Sequence, residues 1–297
     1  MDLTQLWKTK VSWRRQQALL DARVRLRGIA DPKRPVPELV VIGAQRCGTS
    51  SLYKWLEQHP DVAPSVRKET EYLSYRHPRG EAWYRGHFPS RLRRAAHGLR
   101  GRPLLTFEAS PYYLFHPLAA ARAAALVPDV RLVVLLRDPT ERAWSHYQHQ
   151  RRLRQEDLGF AAALDQEEER LAGEEERLAA EPGYDSVAHR RYGYVARGRY
   201  AGQLARWLVH YPRERLLVLR SEDLYGDSAG TYARVLVHAG LAPFDATFHN
   251  ASRAVGDHAE PMARELRTRL DAALAPEVAA LEALLGTSMG WTGPQAP

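Results

Sequence analysis

"VVIGAQRCGTSS", residues 40–51, decides the fold. With Glu38 and Leu39 before it, the stretch opens as a short apolar run ending in Gly43, which suits a buried parallel strand. Gly43 and Gly48 then have the G-x-x-x-x-G spacing of a nucleotide-binding loop. Leu52, Trp55, Leu56 and His59 follow at helical spacing, with Pro60 as a stop. Strand, glycine loop and helix stand in the order that holds phosphate. One residue is out of place. The Lys that should follow Gly48 is Thr49, and the basic residue is Arg46 instead.

Amide N–H groups around Gly48 and the first helical turn would point at an anion, and the helix dipole favours negative charge there. Thr49, Ser50 and Ser51 add hydroxyl donors, and Arg46 adds a charged fork. Such a loop suits one phosphate and its neighbours, without the Lys that grips a transferable γ-phosphate. The plain alternative is an ordinary glycine turn between strand and helix.

The rest of the chain repeats the alternation. "PLLTFEAS" reads as a strand followed by an Ala-rich helix from about Leu118 to Val127. "VRLVVLLRD" is the strongest strand, and "DPTERAWSHYQHQRR" follows it as a helix. Asp138 is placed as its N-cap, Pro139 as its first residue and Glu141 as the partner of a capping box. "RYAGQLARWLVHY" is an amphipathic helix before the strand in "ERLLVLRSEDL", and "APEVAALEALLG" closes the chain as a helix. The heptads "EEERLAG" and "EEERLAA" within residues 165–181 read as one charged, solvated helix. The expected architecture is α/β, a single P-loop-like domain with a mostly parallel central sheet flanked by helices.

Composition narrows the class. At 297 residues, with 44% hydrophobic and 26% charged residues, the chain has the make-up of a soluble globular protein. Its single cysteine, Cys47, excludes an intrachain disulfide framework and a cysteine zinc site, and fits a reducing, cytoplasmic setting. No apolar run is long enough to cross a bilayer, and the charged first thirty residues do not read as a secretory signal. The net charge is +8, yet residues 1–36 hold nine Lys or Arg against three Asp and so account for +6 of it. Residues 1–36 are therefore set apart as a basic helical extension, and 37–297 as the main domain. Leu3, Leu6, Trp7, Val11, Trp13, Leu19 and Leu20 recur loosely within the extension, which is expected to pack on the body or fray. Contact with an anionic surface is the sharper alternative.

A second anion site is expected at "LLRDPTERAWS". Arg137 falls at the carboxyl end of a strand, where open α/β sheets bind ligands. Ser145 lies eight residues on, on the helix face of Glu141 and Arg142. Two phosphate sites on neighbouring strand ends fit a nucleotide phosphorylated at two separate positions.

With these stretches in view the chain resembles the sulfotransferases that use 3′-phosphoadenosine 5′-phosphosulfate, in the branch of heparan sulfate N- and 3-O-sulfotransferases. The likeness runs over most of residues 38–291. "AQRCGTSSLYKWL" resembles the family's 5′-phosphosulfate loop, and "LLRDPTERAWSHYQHQR" its 3′-phosphate motif. "RKETEYLS" resembles the Lys-Glu loop; "WYRGHFP", "FEASPYY", "RGRYAGQLARWL" and "LLVLRSEDL" fall in the family's order. The resemblance implies donor contacts from Arg46, Cys47, Gly48, Thr49, Ser50, Ser51, Arg137 and Ser145. It implies Glu69 as general base, with Arg46 and Lys68 stabilising the leaving phosphate, and no metal. Three departures stand out: Arg46 replaces the usual Lys, Ala109 follows Glu108 where some members place an acceptor-binding Lys, and the C-terminal cysteine pair is missing. The loss at Ala109 leaves the donor site untouched and puts a heparan-like acceptor in question. A sugar-like or small-molecule acceptor is implied.

On the residues alone, Glu71, Glu108 and His77 compete with Glu69 as base, and "KETE" is also an ordinary solvated loop. Tyr72, Trp83, Tyr84, Tyr112 and Tyr113 line an acceptor cleft or pack in the core. A P-loop nucleotide kinase needs Lys at position 49 and a Mg²⁺-binding carboxylate free of cap duty. A nucleic-acid-binding protein needs basic residues spread along a face with interleaved aromatics, whereas the excess here is confined to residues 1–36.

Overall fold

The computed structural model describes residues 3–249 and 261–291. Five strands form one sheet: β1 (Leu39–Gly43), β2 (Val62–Pro64), β3 (Leu105–Ala109), β4 (Arg131–Leu136) and β5 (Leu216–Arg220). Their order is β2-β3-β1-β4-β5, and every pairing is parallel. Each residue of β1 and β3 is buried, as is all of β4 after Arg131. Helices cover both faces of such a sheet, so its strands are apolar throughout instead of alternating.

From β1 the chain runs to the edge at β2, returns through β3, and then places β4 on the opposite side of β1. Connections thus leave β1 in opposite directions, which opens a crevice at the carboxyl ends of β1 and β4. Residues 44–48 and Arg137 both emerge there.

Helix α2 (Thr49–Leu56) buries Leu52, Tyr53, Trp55 and Leu56 and leaves Lys54 exposed. It stops three residues short of His59. The turn-like segment "HPDVAPSVR" contains an unexpected edge strand, β2, paired as Val62 with Leu105. Pro64 is tolerated there because an edge strand can spare one N–H. The expected single helix over 165–181 is two, Glu167–Leu171 and Glu174–Ala180, divided at Gly173 with φ 71°. Glu167 is buried and accepts from the N–H groups of Val195 and Ala196. The last helix starts earlier than its apolar run, at Arg264, and continues to Leu285 through Pro276.

Helix α1 (Leu3–Ala30) reaches the body through its second half. Val24 is fully buried in the main core, and the crossing with α3 (Glu81–Arg85) is made by glycine. A Cβ on Gly28 would collide with the Ala82 carbonyl, and one on Gly86 with the Val24 carbonyl. The side chains of Leu3, Leu6, Trp7, Val11 and Trp13 lie outside the described residues. No described helix is long and apolar enough to cross a membrane.

Candidate active site

A cavity of about 260 Å³ opens at the carboxyl ends of β1 and β4. Arg46, Gly48, Thr49 and Ser50 line it from the loop after β1, Arg137 and Ser145 from the segment after β4, and Glu69 from the loop after β2. The two anion sites read separately from the sequence share one wall. Arg46 Nε donates to Ser145 Oγ at 3.1 Å across them.

Gly48 is required twice at the centre of this loop. Its φ is 94°, and an added Cβ would stand 2.5 Å from Leu224 Cδ2 and 3.0 Å from the Tyr225 hydroxyl. The first i→i−4 bond of α2 runs from Leu52 N–H to the Gly48 carbonyl. The N–H groups of Gly48, Thr49 and Ser50 therefore precede the helical ladder, as anion-binding amides do. Arg46 adopts φ 71°, a conformation that side chains disfavour.

Positive charge is concentrated here. Burial, then Arg152 and Arg137, lowers the pKa of Arg46. Burial, then Arg46 and Arg152, lowers His149 to about 4, so its ring is neutral at pH 7. A bound anion would offset the repulsion among these groups.

Arg137 is held at both ends. Its carbonyl accepts from the Tyr200 hydroxyl at 2.9 Å, and its guanidinium lies 3.4 Å from Glu141. Glu141 is in turn paired with Arg267 of the last helix. Asp138 caps the Pro139–Arg152 helix by accepting from the Glu141 N–H at 3.0 Å. Cap duty occupies the carboxylate that a kinase would need for Mg²⁺.

The candidate bases are sorted by burial. Glu69 is on the cavity wall, its side chain 45% exposed, and its Oε1 is 3.0 Å from Lys68 Nζ. Glu71 is buried and accepts from Ser74 Oγ at 2.6 Å. Burial, and next the Glu69 carboxylate, push Glu71 up to about 8, so it holds its proton at neutral pH. Glu108 is wholly buried and accepts from the hydroxyls of Thr70, Tyr84, Ser110 and Tyr113. His77 packs against Tyr72 with ring centroids 5.2 Å apart and does not line this wall. Tyr72, Trp83, Tyr84, Tyr112 and Tyr113 are all buried, so each packs the interior.

Three of the expected side chains are not on the wall. Cys47 is fully buried, and burial raises its thiol to about 11. Ser51 is also fully buried, its N–H donating to the Gly48 carbonyl. Lys68 does not line the cavity, and its Nζ is 3.0 Å from Glu69 Oε1. In their place the wall includes Gln45, Pro111, His149, Ser221 and Tyr225. Gln45 is fixed by buried Arg197, whose Nη1 donates to Gln45 Oε1 at 2.6 Å. His149 is four residues past Ser145, so helical spacing alone puts the two on one face.

Comparison with known proteins places this geometry. The model of the sulfotransferase domain matches residues 36–254, and the chain belongs to that family. It is 28% identical over 230 residues to a bifunctional heparan sulfate N-deacetylase/N-sulfotransferase 1 of Caenorhabditis briggsae, covering 75% of this chain and 24% of the relative. A heparan sulfate glucosamine 3-O-sulfotransferase 3B1 of Mus musculus is 30% identical over 206 residues, covering 69% of this chain and 46% of the relative. The chain thus spans about a quarter to just under half the length of these relatives. Among solved structures, a sulfotransferase from Alicyclobacillus acidocaldarius superposes with a TM-score of 0.67 at 29% identity, covering 87% of this chain and all of the other.

Proposed function

We propose that this chain moves a sulfuryl group from 3′-phosphoadenosine 5′-phosphosulfate to a hydroxyl or amine of a carbohydrate-like or small-molecule acceptor. The observation that carries the reading is one cavity wall holding the Arg46–Ser50 loop, the Arg137 and Ser145 pair, and Glu69. Residues 37–297 form the catalytic unit in this reading, and residues 1–36 a basic extension docked on it.

The wall fits a donor with two separated phosphates. The free amides at the start of α2, with the Thr49 and Ser50 hydroxyls and Arg46, suit the 5′ group. Arg137, steadied by Glu141, and Ser145 suit the 3′-phosphate. The donor supplies an activated sulfur whose bond to the 5′-phosphate breaks as the acceptor atom attacks. Glu69 takes the acceptor proton, since it alone of the candidate bases lines the cavity. Arg46, with Lys68 at 3.0 Å from Glu69, offsets charge growing on the leaving phosphate. Arg197, through Gln45, and Glu141, through Arg137, keep both ends of the wall in place before the donor arrives.

Calorimetry with adenosine 3′,5′-bisphosphate, AMP and ATP, without Mg²⁺, tests the reading. The bisphosphate is expected to bind far more tightly than AMP. Arg137→Ala should weaken it about ten- to hundredfold and erase most of that preference. A mutant that kept the preference would show that the 3′-phosphate lies elsewhere.

A further inference from the structure

A second cavity, of about 490 Å³, lies on the seam between α1 and the body and shares no lining residue with the donor wall. Arg23, Arg27, Arg34, Arg93, His87 and Ser90 line it. Two of these guanidinium groups converge on one atom. Arg27 Nη2 and Arg34 Nη1 each donate to the Phe88 carbonyl at 2.9 Å. Arg34, Arg23 and Arg93 all lie close enough to Arg27 to depress its pKa, after burial. Among the described residues none of the four is ion-paired with a carboxylate. Nearby Arg67 and Arg79 are instead paired with Asp21, and Arg91 with Asp31.

A second observation is independent of the charge. His87 is 1% exposed, and neither of its ring nitrogens has a hydrogen-bond partner. A buried imidazole with both nitrogens unsatisfied is a cost that a folded chain avoids unless a ligand meets it. Arg27 lies close enough to act on that ring, and Arg23, Arg34, Arg93 and the Ser90 hydroxyl line the same cavity, so the missing group is an anion.

We propose that this seam is a binding site for a tetrahedral oxyanion, the sulfate or phosphate monoester of a larger molecule. A planar carboxylate carries one charge and accepts within one plane. A tetrahedral oxyanion spreads up to two charges over oxygens that accept from several directions, as guanidinium forks from α1, the Arg34 segment and the Ser90–Gly98 region require. Because α1 supplies Arg23 and Arg27, the ligand also fastens the extension to the body. The seam is joined to the catalytic loop through Val66, which lines it and whose N–H donates to the His87 carbonyl, two residues before Lys68. The proposal is independent of the donor-site reading.

Hydrogen exchange read by mass spectrometry on the full chain localises the site. Inorganic phosphate and inorganic sulfate are expected to protect residues 20–34 and 85–94, whereas acetate at equal concentration does not. Arg23 and Arg93 are exposed, so the double variant Arg23→Gln with Arg93→Gln should fold and bind about ten- to hundredfold more weakly. Arg34→Gln, judged against its own thermal midpoint, is a second variant of the same wall. Arg137→Ala should leave this protection intact. Two ester sources are then compared, a sulfated disaccharide and phosphatidic acid vesicles against phosphatidylcholine vesicles. Disaccharide protection assigns a sulfated glycan, and vesicle cosedimentation lost in the double variant assigns a lipid headgroup. Equal protection by acetate, protection that survives the double variant, protection confined to residues 45–51 and 137–149, or failure of both esters would overturn the proposal.

Discussion

Glu108 and Glu69 stand near the same carboxyl end of the sheet and have opposite surroundings. Glu108, on β3, is wholly buried and receives hydroxyls from Thr70, Tyr84, Ser110 and Tyr113. Glu69 is close to half exposed, faces a cavity and is met by the Lys68 ammonium. A carboxylate whose lone pairs are filled by buried donors has no capacity left to take a proton from an incoming molecule. One that faces a cavity beside a cation has that capacity, and its neighbours hold it ready. Glu71 lies between them in sequence and in character, buried like Glu108 and adjacent to Glu69.

Substitution should separate the three. Glu69→Gln is expected to give the largest effect, a fall in turnover of roughly a hundred- to ten-thousandfold with donor affinity and thermal midpoint preserved. Initial rates over a panel of glycan and phenol acceptors, alongside calorimetry, check it; near-normal turnover would remove the contrast between the two glutamates. Glu108→Ala should do the reverse. It strands buried hydroxyls without an acceptor and is expected to lower stability by about 3 kcal/mol in urea denaturation, leaving the donor affinity of the folded protein unchanged.

A third effect concerns Glu71 and appears only against pH. Its pKa is raised from 4.5 to about 8 in the folded chain, so between those values the folded state binds more protons than the unfolded state. Stability supplied by the protonated group is complete below about pH 4.5 and is lost as pH rises toward 8, by at most about 1.4 kcal/mol per pH unit. Glu71→Gln should flatten that part of the profile of urea midpoints. An unchanged slope would show that Glu71 shares no proton equilibrium with folding.

The fold was legible where local signals agreed. β1, its glycine loop and α2 carry strand, turn and helix chemistry in a row, and Asp138 and Pro139 mark the helix after β4 without reference to anything distant. β2 was not legible, because three residues with a proline become a strand only when β3 lies beside them. The site divides likewise. Arg46, Gly48, Thr49 and Ser50 are contiguous, and Arg137 and Ser145 share one strand-helix unit. Ser221 and Tyr225 reach the wall only because β5 pairs with β4, and Gln45 faces it only because Arg197, 152 residues away, fixes it. Cys47 and Ser51 sit inside the same motif yet turn into the core. His149 had a signal in its spacing from Ser145.

Arg46 joins two demands that usually fall on different residues. Its backbone takes φ 71°, where glycine is at ease and a side chain costs about 1–2 kcal/mol, yet its guanidinium reaches Ser145 across the cavity that we propose holds the donor. Thermostability and catalytic competence are therefore opposed at this one position. A library ranked by melting temperature would favour glycine there, and with each round of such selection would drift toward a sturdier protein that no longer holds its ligand.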